Sequence, residues 1–81
     1  MKLIKVFSKT CGPCKVLDKH LKESGVEYDS VDIESDEGDN LIEKYNIRNV
    51  PTLLLVSDDG TLVNKHVGIL NVEAIKNFIS K

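Results

Sequence analysis

Leu3-Ile4-Lys5-Val6-Phe7-Ser8-Lys9-Thr10-Cys11-Gly12-Pro13-Cys14 passes from a strand pattern to a helix pattern within a few residues. Leu3 to Phe7 is mostly apolar on both faces, which suits a strand in the middle of a sheet. Ser8-Lys9-Thr10 is the turn. From Gly12 to about Ser24 the apolar positions take a helical period. Val16, Leu17, His20, Leu21 and Ser24 fall on one stripe, and Lys15, Asp18, Lys19, Lys22 and Glu23 fall mostly outside it. Gly25 suits the left-handed position that closes such a helix. The chain's only two cysteines therefore stand where a central strand hands over to a helix.

Outward from this stretch, Val26 to Ile33 reads as a second strand. Its imperfect alternation and polar content suit a sheet edge, with room for a bulge. Ser35-Asp36-Glu37 starts a second helix, whose apolar face is Leu41, Ile42 and Tyr45 and whose end is Asn46. Thr52 to Val56 is apolar throughout and predicts another central strand. Asp59-Gly60 signals a two-residue hairpin, and Thr61 to Val67 returns as the fourth strand. Asn71 caps a last helix with Val72, Ile75, Phe78 and Ile79 on its face. The order β-α-β-α-β-β-α predicts an α/β fold with a four-stranded mixed sheet and helices on both faces. The first β-α-β unit is long enough to be parallel and right-handed.

The bulk properties restrict the function. At 81 residues the chain is expected to be one domain, spanning 1–81. The net charge of −2, with no basic face or tail, argues against nucleic acid or an anionic membrane as partner. Lys5 interrupts the apolar N-terminal stretch far short of the roughly 7–15 residues of a secretory core, and nothing approaches the ~20 of a membrane span. The expected location is the cytoplasm. Two cysteines three positions apart are not the disulfide framework of a secreted domain. In a reducing compartment such a pair is redox-active or metal-binding.

The strand-to-helix junction favours redox chemistry. It lies at the C-terminal edge of the sheet, where α/β proteins place their sites. A helix N-terminus offers unpaired N–H groups and partial positive charge, both of which favour a thiolate. Pro13 does no harm, because a first-turn N–H has no helical partner to lose. A thiol of pKa ~8.5 is only ~3% ionised at pH 7, and lowering it to ~7 gives roughly fifteenfold more thiolate. That shift needs ~2 kcal/mol, of which a helix terminus supplies ~0.3–1. Hydrogen bonds must supply the rest, and the Cys14 S–H is the nearest donor in the sequence. Cys11, at the helix mouth, is then the exposed nucleophile. Cys14, one turn in, is the sheltered resolving thiol that attacks Cys11 in a mixed disulfide.

Cys11-Gly12-Pro13-Cys14-Lys15, Asn46-Ile47-Arg48, Val50-Pro51-Thr52 before a strand, and Gly68 after the last strand resemble the thioredoxin family. The resemblance covers nearly the whole chain but only the core of the fold, without the family's first strand and helix, and the size is nearer a glutaredoxin. It implies a protein disulfide reductase with no cofactor beyond the reversible Cys11–Cys14 disulfide. Its electrons would come from a thioredoxin-reductase-like flavoenzyme and pass to disulfide-containing proteins, and it would act as a monomer. It further implies that Pro51 is cis, that the Val50 backbone pairs with the substrate chain as a short strand addition, and that Gly12, Pro13, Val50, Pro51 and Gly68 form the docking surface.

The departures from the family carry information. Thr10 stands where thioredoxins have a tryptophan. Lys5 stands where they bury an acid, six residues before the first cysteine, and the lysine that partners that acid falls near Ser30. The family's proton transfer therefore does not carry over. Lys5 is a candidate modulator of the thiol pKa, set against the plainer role of a snorkelling lysine. The rival functions are a glutaredoxin-like protein recharged by glutathione and a docking module in which redox chemistry is incidental. Against the first, Ile69 replaces a second glycine, and Gly-Pro stands between the cysteines in place of Pro-Tyr. Zinc would need about four ligands, and only His20 and His66 remain to join the cysteines, so no metal is expected. Asp32, Glu34, Asp36 and Glu43 roughly fit a calcium loop, but Gly38 is one place late.

Overall fold

A computed structural model describes residues 1–80, so Lys81, the last residue of the expected domain, lies outside the described residues. The elements are β1 (Lys2–Phe7), α1 (Gly12–Ser24), β2 (Asp29–Asp32), α2 (Asp36–Tyr45), β3 (Thr52–Val56), β4 (Leu62–Val67) and α3 (Val72–Ile79). The sheet order is β2-β1-β3-β4, with β1 parallel to β2 and antiparallel to β3, and β3 antiparallel to β4. The two apolar runs are thus the two central strands, as their lack of alternation requires.

Strand parity divides the core. Leu3, Leu53 and Leu55 face α1 and α3, packing with Leu17, Leu21, Ile75 and Phe78. Ile4, Val6, Leu54 and Val56 face the other way, onto Val31, Ile47 and the half-buried Leu41, Ile42 and Tyr45 of α2. Lys5 shares the phase of Leu3, so its side chain enters the α1 side of the sheet and is buried there.

The caps follow the sequence. Gly25 (φ 74°) and Asn46 (φ 54°) close α1 and α2 in the left-handed conformation. Ser35 and Asn71 accept the Gly38 and Ala74 N–H groups at 3.0 and 2.8 Å.

Four expectations are corrected. β2 is only Asp29–Asp32, because its parallel pairing begins at Ile4↔Asp29; Val26 and Tyr28 instead pack, half-buried, under α1 and α3. The irregularity lies between Leu55 and Val56 opposite β4, not in β2. The hairpin has a three-residue loop in place of a two-residue one. The Ser57 N–H donates to Thr61 O at 2.8 Å, the Gly60 N–H donates to Ser57 O at 3.0 Å, and Gly60 takes φ 89°. Finally, Val16 is exposed; α1 buries Cys14, Leu17 and Leu21.

Candidate active site

Cys11 and Cys14 form a disulfide with a Cα–Cα distance of 5.3 Å. Cys11 is the N-cap of α1 and half-buried, whereas Cys14 is only 3% exposed. The Cys14 backbone N–H donates to Cys11 Sγ at 3.1 Å. The capping acceptor of this helix is therefore a sulfur, where serine or aspartate usually serves. In this oxidised form the Cys14 backbone N–H is the hydrogen-bond donor to the Cys11 sulfur. The first turn of α1 carries no acidic residue, so no carboxylate competes with the sulfur for the helix terminus.

The sheet register brings two further loops to the same edge. Val6 pairs with Thr52, and Thr52 with Val67. The segments just beyond these positions, Phe7 toward Cys11, Pro51 and Gly68, therefore meet at one end of the sheet. Val50–Pro51 is a cis peptide bond. The Gly68 N–H donates to Pro51 O at 2.9 Å, and Gly68 takes φ 106°, a conformation that favours glycine. The Thr52 hydroxyl donates to Asn49 O at 2.5 Å and ties the loop from inside. Gly12 and Pro13 are exposed, Val50 and Gly68 half-buried, and Pro51 buried. Exposed Val67 and Ile69 flank Gly68, and exposed Val16 shares a helix face with Gly12 and Pro13.

Beneath the cysteines lies a charged cluster. Lys5 Nζ donates to Asp18 Oδ1 at 2.7 Å, with Lys5 at 7% side-chain exposure. The Tyr28 hydroxyl donates to the same oxygen at 2.5 Å, and Lys22 Nζ lies 3.1 Å from Asp18 Oδ2. Lys5 Nζ also stands over the rings of Phe7 and Tyr28, 4.9 and 5.7 Å from their centroids. The Lys5 and Tyr28 hydrogen bonds hold the Asp18 carboxyl well below the usual carboxylate range. Burial, together with the Asp18 charge, pushes the Tyr28 phenol up to about 12. A cavity of about 180 Å³ is lined by Lys5, Phe7, Ser8, Lys9, Cys14 and Lys15, so the buried lysine and the buried cysteine face one space.

A family model, Thioredoxin, matches residues 1–81. The thioredoxin of Bacillus subtilis (strain 168) is 36% identical over 75 residues, covering 88% of this chain and 71% of that protein. The SPbeta prophage-derived thioredoxin-like protein YosR of the same strain is 31% identical over 68 residues, covering 84% and 82%.

The chain belongs to the thioredoxin family.

Solved structures agree. A mutant thioredoxin from Halobacterium salinarum superposes with a TM-score of 0.80 at 28% identity, covering 96% of this chain and 70% of that one. The oxidised thioredoxin from Plasmodium falciparum gives 0.73 at 29% identity, covering 96% and 76%. With the cysteine pair at disulfide distance, this thioredoxin-family protein is a thiol–disulfide oxidoreductase. The family suggests disulfide-containing substrates and a reductase partner.

Gly12, Pro13, Pro51 and Gly68 lie at the cysteine end of the sheet, whereas Lys5 lies within β1, paired with Leu53. Sequence reasoning missed Asp18 and Tyr28, because their role comes from the Lys5 side chain crossing to α1. The one signal available was an aspartate four residues after Cys14. His20 Nδ1 is 3.0 Å from Leu70 O, and His66 lies on β4 with its ring beside Gly68. Among the described residues no group of three or more His, Cys, Asp or Glu is placed to hold a metal ion. Asp32 instead accepts the Glu34 N–H at 2.9 Å and lies 3.8 Å from Lys9.

Proposed function

We propose that this chain is a thioredoxin-type protein disulfide reductase, acting as one domain and a monomer in the cytoplasm. The observation that carries the reading is the asymmetry of the cysteines: a half-buried cysteine at the N-cap of α1, and a second, buried cysteine one turn inside. The Cys11 thiolate, favoured by the Cys14 N–H and the helix terminus, attacks one sulfur of a substrate disulfide. The Cys11–substrate bond forms, the substrate S–S bond breaks, and the departing thiolate takes a proton from water. Cys14, as thiolate, then attacks Cys11 Sγ. The Cys11–Cys14 bond forms and the second substrate thiolate leaves. Two electrons and two protons from a flavoenzyme of the thioredoxin-reductase type restore the dithiol, and no cofactor is held by the chain.

Docking uses the surface around the cysteines. Gly12 and Pro13 expose the sulfur. The Val50 backbone pairs with an extended substrate segment. Gly68 adds no side chain to the floor, Pro51 is buried in it, and Val16, Val67 and Ile69 supply an apolar rim.

The test is reduction of insulin disulfides with dithiothreitol as electron source. Catalysis by the parent and none by Cys11→Ser is the expected result. No catalysis by folded, reduced parent would overturn the general-reductase reading. Recharging by glutathione alone, with a flavoenzyme of the thioredoxin-reductase type inactive, would overturn the choice of reductant.

A further inference from the structure

The central strand of this sheet buries a lysine, and the mechanism above makes no use of it. A buried ammonium needs a counter-charge, and Asp18 supplies one at 2.7 Å. Two features show that the pair is built and not incidental. Asp18 Oδ1 accepts from both Lys5 and the Tyr28 hydroxyl, and the Lys5 ammonium is further held over two aromatic rings. The cluster is also not sealed away from the reacting sulfurs, since Lys5 and Cys14 line one cavity of about 180 Å³, large enough for water.

Asp18 itself cannot take the proton of Cys14. Its carboxyl is held ionised well below the pH range of thiol exchange by Lys5 and Tyr28. The groups facing the cavity are otherwise cationic: Lys5 from β1, Lys9 from the turn and Lys15 from α1. Charge stabilisation of a sulfur anion is thus the chemistry that these side chains can supply, and Asp18 determines how much of the Lys5 charge the sulfur meets.

We propose that Asp18 is a positioning residue for disulfide exchange: it anchors the Lys5 ammonium on the Cys14 side of the sheet and partly cancels its charge, so that the pair sets the balance between the Cys11–Cys14 disulfide and the dithiol. This rests on the exchange chemistry proposed above. Lys5 favours the reduced form by stabilising the Cys14 thiolate. Asp18 restrains that effect. The two members of one ion pair therefore act in opposite directions on the redox equilibrium, whereas loss of packing alone gives no reason for opposite shifts from the two ends.

The experiment measures the equilibrium of the protein disulfide plus reduced dithiothreitol with the protein dithiol plus oxidised dithiothreitol, scored by the mass of alkylated protein. Parent, Lys5→Met, Lys5→Arg and Asp18→Asn are compared, with Asp18→Ser as the second variant should Asp18→Asn fold poorly. Lys5→Met is expected to move the constant toward the disulfide by about threefold or more. The Asp18 variant is expected to move it toward the dithiol by a similar factor, and Lys5→Arg, which keeps the charge, to stay within about twofold of the parent. In a Cys11→Ser background, titration of the Cys14 Cβ resonance should place its midpoint about half a unit or more higher with Lys5→Met. Shifts of both ends in the same direction, or constants all within about twofold, would overturn the proposal. The equilibrium needs no protein substrate. Opposite shifts in a chain that fails to reduce insulin would sink the reductase reading and leave the Asp18 assignment standing.

Discussion

Lys5 and Asp18 form a 2.7 Å ion pair whose members are unequally buried, at 7% and 26% side-chain exposure. The inequality predicts unequal mutational costs. Asp18→Ala leaves a buried ammonium without its anion, which costs about 3–5 kcal/mol in a fully buried pair and about 2–4 here because Asp18 reaches solvent. Lys5→Met leaves a carboxylate that still has Tyr28, Lys22 and water, and fills the lysine stem's space with an apolar chain of similar length. Its cost is about 1 kcal/mol. Urea unfolding at neutral pH is expected to rank Asp18→Ala well below Lys5→Met. The reverse order would mean that the ammonium is solvated.

The Lys5 hydrogen bond to Asp18, the burial of Tyr28 and the bond between Tyr28 and Asp18 make stability depend on pH at both extremes. The folded-state pKa of Asp18 is depressed, so its contribution is present above the unfolded value of about 3.9 and is lost as pH falls below that value toward the folded one. The folded-state pKa of Tyr28 is raised to about 12, so its contribution is present below about 10 and is lost as pH rises from there through 12. The urea midpoint is therefore expected to fall on both sides, and Tyr28→Phe to flatten the alkaline limb. In a Tyr45→Phe chain, phenolate absorbance should place the Tyr28 midpoint near 12. Ionisation near 10 would show that Tyr28 is neither buried nor bonded to Asp18 as described.

How much of this was legible in the sequence depended on the range of the interactions. Cys11, Gly12, Pro13 and Gly25 are governed by their neighbours along the chain, and the helix they define has the expected bounds, Gly12–Ser24. β3 was equally plain, because a run without alternation fits only a strand covered on both faces. Val16 was misjudged because helical period alone does not say which face of α1 meets the sheet; burial of Cys14, Leu17 and Leu21 decides it. The Asp59-Gly60 signal placed the hairpin correctly. The loop gained a residue because Asp59 accepts the Thr61 N–H at 3.0 Å and Gly60 alone takes the left-handed conformation. Lys5 drew notice as a departure from the family, but its partner could not be read from the sequence. Asp18 looks like a solvent-facing helix residue until the sheet lies against α1.

The burial difference between the sulfurs predicts a trap. In Cys14→Ser the hydroxyl cannot resolve the Cys11 mixed disulfide, so the intermediate should accumulate on reaction with a disulfide-containing protein and be released by dithiothreitol. Cys11→Ser should trap nothing, because its remaining thiol is 3% exposed. Mass spectrometry after acid quench reads both variants. Trapping by Cys11→Ser instead would reverse the assigned roles.

Gly38, in the first turn of α2, tests how tightly that helix is held against the strand that precedes it. A Cβ there would lie 2.9 Å from the Ile33 Cα and carbonyl carbon, and closer still to the Asp32 carbonyl oxygen. All three are backbone atoms, and β2 cannot recede because it pairs with β1 from Ile4↔Asp29 to Phe7↔Asp32. Gly38→Ala gains about 1 kcal/mol in helix propensity. The helix must nevertheless lift off the sheet, disturbing the Ser35 cap and the packing of Leu41 and Ile42, so a net loss of about 1–3 kcal/mol is expected. The loss should reach the site. The far end of α2 runs through the buried Ile47, whose N–H donates to Ile42 O at 3.2 Å, into the Val50-Pro51 loop. Urea unfolding should therefore show the destabilisation, and insulin reduction a raised KM. A neutral or stabilised Gly38→Ala would mean that α2 slides along the sheet at little cost, and the cis-proline loop would then owe its position to Gly68 and Thr52 alone.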